Sequence, residues 1–407
     1  MARVPGLPVN AADRESDAVS YFKSTDPSVI ICGADEFQIH QSAHPVRHVT
    51  TSDRNFYERY HMTGQGWNDL VYFNAGFGQY PNLAVQDAFF NVVAGDDHHV
   101  VRASHLLGDR LQIGAGPMRI EIVEPLRRFR LIVEDNSSGI SADLIYDATV
   151  PVFVEPRHVH ISHGRTVMDY QRYDQVGVWT GHIDLPGRRI AVAPERGWNA
   201  YRNHSWGVRP VGEPEPPGVR GDHSVISQFP QLGMWNYATM QFDEFAILYL
   251  LNENDSGARP IEGAVRIWKD PERPLDQLGR AEADHRFVAG TRNISGAMIR
   301  FPDAPGGPIT IEVQPLMRCY ITVGTGYGTG HGIQDHWRHG KYMGANWFDH
   351  LHCSNTWLEE QGADKLYVEN LARFLLNGDA VGYGYHETAF IGPFRKHGLM
   401  GDHDGAP

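Results

Sequence analysis

The sequence predicts an all-β protein whose antiparallel strands curl into barrels around lined cavities. Three observations carry this expectation. Several short runs alternate apolar and polar residues at period two, the mark of a half-buried strand. Gly, Pro and Asn turns separate such runs at roughly 8–12-residue intervals, the rhythm of a sandwich or barrel. Nine Trp, seventeen Tyr and eighteen Phe stand beside 43 Gly, a composition that suits barrels with lined cavities.

Taken in order, residues 1–45 read as a leader with little pattern and a short helix near 17–23. From about residue 50 the chain becomes strand and turn. Met118, Ile120 and Ile122 alternate with Arg119 and Glu121 after a turn of Gly114, Ala115, Gly116 and Pro117. Residues 129–133 form the next strand, Asn136, Ser137, Ser138 and Gly139 the next turn, and 140–154 a further strand pair. Residues 182–185 and 189–192 read as a hairpin around Pro186 and Gly187. Residues 235–242 and 245–251 read as another, split by Asp243 and Glu244. Strands at 265–268, 298–301, 309–313 and 318–323 continue the pattern. Residues 212–221 form a proline-stiffened loop. Only 364–377, with Leu366, Val368, Leu371, Phe374 and Leu375 at near-helical spacing, suggests a helix.

Composition bounds function. The 407 residues suit two domains of roughly 100–200 residues each. The formal charge of −13 argues against nucleic acid and anionic membrane surfaces. No apolar run approaches the ~20 residues of a membrane helix, and residues 1–10 lack the apolar stretch of a secretory signal. Cys32, Cys319 and Cys353 are odd in number and lie far apart, which fits a reducing, cytoplasmic setting. The glycines from Gly324 to Gly330 lack the helix pattern of a phosphate loop, and neither a Rossmann fingerprint nor GxSxG is present. No cofactor is therefore expected, and the oligomeric state is not legible.

One segment is distinctive. Tyr173-Asp174-Gln175-Val176-Gly177 and Gly181-His182-Ile183 precede Gly197-Trp198-Asn199-Ala200-Tyr201-Arg202-Asn203-His204-Ser205-Trp206-Gly207-Val208-Arg209. The last run resembles the Arg-Asp-His-Ser-Trp-Gly signature of the superfamily of carotenoid 1,2-hydratases (hydroxyneurosporene synthases) and AttH-like proteins. The run from Tyr72 to Pro81 and that from Gly382 to Glu387 resemble motifs of the same relatives. The resemblance implies two consecutive lipocalin-like antiparallel β-barrel domains with few short helices. The first is placed at 46–170 and the second, carrying the His-Ser-Trp-Gly motif, at 171–400. It also implies a pocket that hosts hydratases in some relatives and cyclases in others.

In those hydratases a His, a Trp two residues on and a Tyr-x-Asp pair are implicated. The matching positions are His204, Trp206 and Asp243, the last within Gln241-Phe242-Asp243. Asn203 stands where relatives carry Asp. Hydrating a double bond requires an acid, a stabilised cation and a base for water. Asp243 would supply the proton if an apolar pocket raised its pKa. Trp206 would offer a π face and His204 would handle the water. On a strand, His204 and Trp206 share a face. Tyr201, Tyr237, Gln241, Arg209 and Glu387 are the expected substrate contacts, with Glu387 read as a hydrogen-bonding group at a barrel end rather than an acid.

The leading expectation is thus a cofactor-independent hydro-lyase acting on a C=C bond of a hydrophobic, isoprenoid-like or polycyclic small molecule. An isomerase or cyclase in the same pocket is the alternative, followed by a lipophile carrier without chemistry. Histidines are numerous at 22. His158 and His160, with His163 nearby, form the main candidate metal cluster. His350-Leu351-His352-Cys353 and the His336/His339 pair follow, while Asp96-Asp97-His98-His99 reads as a polar turn. None has the spacing of a strong metal motif, so no metal is expected.

Overall fold

A computed structural model of the chain describes residues 31–162, 164–214, 233–327, 335–402 and 404–407. The fold is nearly all β, two curled antiparallel half-barrel sheets of the lipocalin-like type.

The first sheet opens with a meander of β1 (Phe56–Gly66), β2 (Val71–Tyr80), β3 (Val85–Ala94) and β4 (Asp97–Leu106). A second run follows: β5 (Ile113–Ala115), β6 (Met118–Glu124), β7 (Arg128–Val133) and β8 (Ser141–Ala148). The short β9 (Phe153–Val154), β10 (His158–Ser162) and β12 (Arg188–Val192) flank the 21-residue β11 (Arg165–Leu185), and β13 (Trp198–Val208) joins the two runs between β1 and β11. The second sheet contains β14 (Gly233–Gln241), β15 (Phe245–Glu253), β16 (Ile261–Trp268), β17 (Asp276–Gln277), β18 (Glu282–Phe287), β19 (Ile294–Phe301) and β20 (Ile309–Cys319). Between β20 and the closing pair, the chain returns to the first sheet. There β21 (Trp347–Ser354) pairs with β4 as an edge strand. The second sheet then closes with β22 (Val368–Leu376) and β23 (Ala380–Ile391).

Alternation sorts the side chains into three buried layers. Phe73, Phe90, Leu131, Trp179 and Trp198 fill the first half-barrel. Met240, Tyr249, Ile299, Phe301 and Phe374 fill the second. The opposite faces of both sheets meet through Tyr72, Val176, Tyr201, Trp235, Tyr237, Leu248, Leu371 and Tyr385. Packing is tight enough that a Cβ on Gly64 would lie 2.0 Å from the Phe73 ring across the β1–β2 pair. The buried Trp179 indole donates to the Thr63 carbonyl at 2.9 Å, which removes the cost of an unpaired N–H.

Both expected hairpins form, with Leu185 opposite Arg188 and Gln241 opposite Ala246. Two expectations change. The sheets part between Val208 and Gly233 rather than at 170/171, because β11 runs unbroken through that position and pairs with both halves of its own sheet. At Gly181 within it, φ is +130° and a Cβ would lie only 2.0 Å from the Asp143 carbonyl oxygen, so only glycine fits there. Residues 364–377 hold the strand β22 instead of a helix. Both of its faces are buried, Leu371 against the other sheet and Ala372 and Phe374 inside the second half-barrel. A strand covered on both sides loses its clean alternation. The one α-helix among the described residues, α1 (Asn355–Glu360), is capped by the Ser354 hydroxyl, which accepts from the Trp357 N–H. The helix expected at 17–23 and most of the proline-rich loop lie outside the described residues. No helix among those described is long and apolar enough to cross a membrane.

Candidate active site between the sheets

A cavity of about 100 Å³ opens where the two sheets face each other. Strand parity decides which side chains reach it. From β11 come Met168, Tyr170 and Arg172, and from β13 come Tyr201 and Asn203. His61 of β1 completes this wall. The facing wall is Trp235 and Tyr237 of β14 with Tyr385 and Glu387 of β23. Arg209, Tyr367 and two residues of the crossover after β20, Ile321 and Tyr327, close the remaining sides. Six tyrosines, a carboxyl, an imidazole and two guanidinium groups thus line one small space.

Its polar groups form two connected sets. The first is a relay. Tyr237 Oη donates to Tyr201 Oη at 3.0 Å, and Tyr201 donates to Asp174 Oδ1 at 2.6 Å. Asn203 Nδ2 also donates to the Tyr201 oxygen at 2.9 Å, so both lone pairs and the proton of that hydroxyl are used. Burial, with the neighbouring Glu155 charge, pushes the Asp174 carboxyl well above its usual range against the pull of Arg172. Burial and the Asp174 charge push both tyrosine hydroxyls up. Arg172 is fixed by Glu155 at 2.7 Å and lies over the Tyr237 ring at 5.5 Å.

The second set is acidic. Glu369 and Glu387 stand directly opposite each other on β22 and β23, which places their Cβ atoms ~5 Å apart. Glu387 in turn pairs in register with Tyr237. The Glu387 Oε1 accepts from the Trp235 indole at 2.5 Å. Glu369 Oε2 accepts from Tyr72 at 2.9 Å and from Asn74 at 2.8 Å. Burial raises both carboxyls above the ordinary glutamate value, and the charge of Glu387 raises Glu369 further. Two carboxylates in one desolvated site do not both ionise cheaply, so the pair retains a proton near neutrality. His61 Nε2 lies 3.6 Å from Glu369 Oε1, and both atoms are buried without a hydrogen bond. Burial and the charges of Arg59 and Arg172 hold this imidazole neutral. A neutral base therefore faces a carboxyl pair that shares a proton.

Of the expected substrate contacts, the structure brings Tyr201, Tyr237, Arg209 and Glu387 to the cavity. Glu387 lies at mid-strand rather than at a barrel end; it does accept a hydrogen bond, from the Trp235 indole, and burial raises its carboxyl. Gln241 is elsewhere. It donates to the Gly177 and Ala200 carbonyls at 3.2 and 2.9 Å and so ties one sheet to the other.

The three expected catalytic residues do not reach the cavity. His204 and Trp206 do share a face, but it is the face turned into the first half-barrel, opposite to Tyr201 and Asn203. There His204 stacks on Tyr60 at 4.1 Å, meets the Trp206 ring edge-on at 5.5 Å and approaches Glu58 at 3.1 Å. Trp206 is 37% exposed at the rim. Asp243 sits in the exposed β14–β15 turn, where nothing desolvates it. Among the histidines, His158 spends one nitrogen on Glu155 at 2.7 Å and the other on Tyr170 at 3.2 Å, which leaves no lone pair for a metal. His163 lies outside the described residues. His339 is buried against Arg59 and the Thr325 carbonyl.

His61, Arg172, Asp174 and Glu369 were not singled out from the sequence. Asp174 alone carried a signal, as part of the Tyr-Asp-Gln motif on the strand before β13.

Residues 31–400 match a family described as "Family of unknown function (DUF8625)". No curated protein sequence matches the chain. Among solved structures, a provisionally assigned AttH protein from Nitrosomonas europaea superposes with a TM-score of 0.52 at 12% identity, over 82% of this chain and 92% of that one. Kievitone hydratase from Nectria haematococca superposes with a TM-score of 0.43 at 10% identity, over 82% and 88%. The first likeness shows a shared fold, in agreement with the AttH-like part of the motif resemblance. The second is too loose to add to it.

Proposed function

Taking the chain as the member of the DUF8625 family that it is, we propose a cofactor-independent acid–base lyase of the hydro-lyase type, acting on an unsaturated ring-bearing small molecule held between the sheets. One observation carries the reading. Glu387, whose carboxyl burial raises and which shares a retained proton with Glu369, faces an aromatic cavity beside Tyr237, the end of the Tyr237–Tyr201–Asp174 relay. An acid with a pKa raised toward the working pH is what proton transfer to or from carbon requires.

In the hydration direction Glu387 gives its proton to one alkene carbon. The electron-rich faces of Trp235 and the tyrosines stabilise the cation that forms. Water adds to the other carbon and loses a proton to the neutral His61. Glu369, between His61 and Glu387, returns that proton, so water is added and the site is restored. Dehydration is the same path reversed. Tyr237, whose own proton goes to Tyr201, accepts from a hydroxyl of the substrate and so orients the ring, backed by Tyr201 and Asp174. The tyrosine hydroxyls and guanidinium groups of the lining suit an oxygen-bearing ring system better than a plain isoprenoid chain.

The test is mass spectrometry of enone, phenolic, terpenoid and steroid-like compounds incubated with the protein in ¹⁸O-labelled water, with Glu387→Gln as control. Gain of one labelled water, or loss of water, that is absent in the control supports the reading. A product of unchanged mass replaces it with an isomerase or cyclase in the same cavity. Saturable binding without product replaces it with a carrier.

A further inference from the structure

We propose that Asp97, His99 and His352 form a binding site for a divalent transition-metal ion of the zinc class, which fastens the edge strand β21 to β4. This inference does not rest on the lyase reading. The residues are distant in sequence, and the antiparallel register joins them: His352 stands directly opposite His99, and Ser354 opposite Asp97. Side chains two apart on a strand share a face, so Asp97, His99, His350 and His352 all project from one side of this ladder. One ligand atom from each of Asp97, His99 and His352 lies within 4.8 Å of the others.

The surroundings favour a ligand. His99 is buried, and its Nδ1 has no hydrogen-bond partner among the described residues. The Nε2 of His350 is in the same condition. A buried ring nitrogen left unpaired is costly, and a metal ion would satisfy it. Asp97 Oδ1 already holds His352 Nε2 at 2.9 Å, supplying the negative charge that a dication needs.

The present geometry also states what binding changes. The His99 and His352 rings stack at 4.2 Å and 8°, with His350 6.3 Å from His99. Zinc takes nitrogen at ~2.0–2.1 Å and carboxylate oxygen at ~2.0–2.2 Å in a tetrahedron. One imidazole must therefore turn about χ2, unstack and bring its lone pair inward. His350 or water completes the set. The ion would pin the crossover between β20 and β22, the segment that brings Ile321 and Tyr327 to the cavity.

The experiment titrates the chelator-treated full-length protein with Co²⁺ and then Zn²⁺. One equivalent of Co²⁺ is expected to give a visible ligand-field band of tetrahedral type. Zn²⁺ is expected to abolish that band and to raise Tm. His352→Ala and Asp97→Asn, both at exposed positions, are expected to lose at least about tenfold in Co²⁺ affinity, the minimum for a group that matters to a metal site. His182→Ala serves as an unaffected control. Absence of a stoichiometric band, or equal affinity in Asp97→Asn and the wild type, overturns the proposal and leaves the cluster as a stacked pair of imidazoles.

Discussion

Replacing Tyr237 with Phe separates chemistry from stability. The hydroxyl lost makes one hydrogen bond, 3.0 Å to Tyr201. Tyr201 keeps its bonds to Asp174 and Asn203, so no buried group is orphaned. The stability cost is about 1 kcal/mol, the net value of one hydrogen bond, or ~2–4 °C in Tm at most for a protein of this size. Replacing Tyr201 is a different event. Its hydroxyl has three partners, and its removal strands the Asn203 amide, the Tyr237 hydroxyl and Asp174, whose Oδ2 already lacks a partner. At ~1–3 kcal/mol for each of the three buried unsatisfied groups, Tyr201→Phe costs on the order of 3–9 kcal/mol. Both variants break the relay at the substrate, so both are expected to lose ~10²–10⁴-fold in kcat. Calorimetry with turnover by mass spectrometry, on whichever compound reacts, reads the two effects apart. Tyr237→Phe turning over within about threefold of wild type refutes the relay. So does a Tyr237→Phe that is destabilised as much as Tyr201→Phe.

Other outcomes follow from the same contacts. Glu369 has a folded pKa above its unfolded value, so its contribution to stability is complete below the ordinary carboxylate range and is lost as pH rises through the raised value. Tm is expected to fall as pH rises from the ordinary carboxylate range to about 8 and to level off above it, and Glu369→Gln to flatten that decline. The buried His98 and His386, lowered by burial to about 4 and about 3, act in the opposite sense. Their contribution is lost as pH falls from the unfolded histidine value toward those figures, giving an acid limb that Glu369→Gln leaves in place. Gln241→Ala removes both ties between the sheets and is expected to cost ~1–3 kcal/mol while leaving turnover per folded molecule within about threefold. Gly64→Ala drives a methyl into the Phe73 ring and is expected to cost ~1–3 kcal/mol by overpacking, measured as a fall in the denaturation midpoint.

Fold class was legible because period-two alternation is a local signal, and most strands carry it. It failed at 364–377, where burial on both faces of β22 erased the alternation and left a spacing that a helix also satisfies. Where the sheets part was not legible, because nothing local marks β11 as one strand of 21 residues. The site was legible in part for the same reason. That His204 and Trp206 share a face follows from their spacing. Which face meets the other sheet is decided by strands pairing across 140 residues and more. Tyr201, Arg209 and Glu387, which line the cavity, lie on the quoted motifs, while Tyr237 lies on the first strand of the 235–251 hairpin. Glu369 and His61 carry no motif, and their meeting depends on β1 and β22 being brought together, 308 positions apart.

The central assignment places chemistry in the cavity between the sheets, at Glu387, and not inside the first half-barrel, at His204. Glu387→Gln preserves the acceptor for the Trp235 indole while removing the proton. His204→Gln alters only the inner face of β13. Side-by-side turnover of the two variants, both checked for wild-type folding, is the direct measurement. Activity reduced ~10²–10⁴-fold in Glu387→Gln and retained in His204→Gln is the expected result. Activity retained in Glu387→Gln and abolished in His204→Gln would contradict the assignment and move the active site into the first half-barrel.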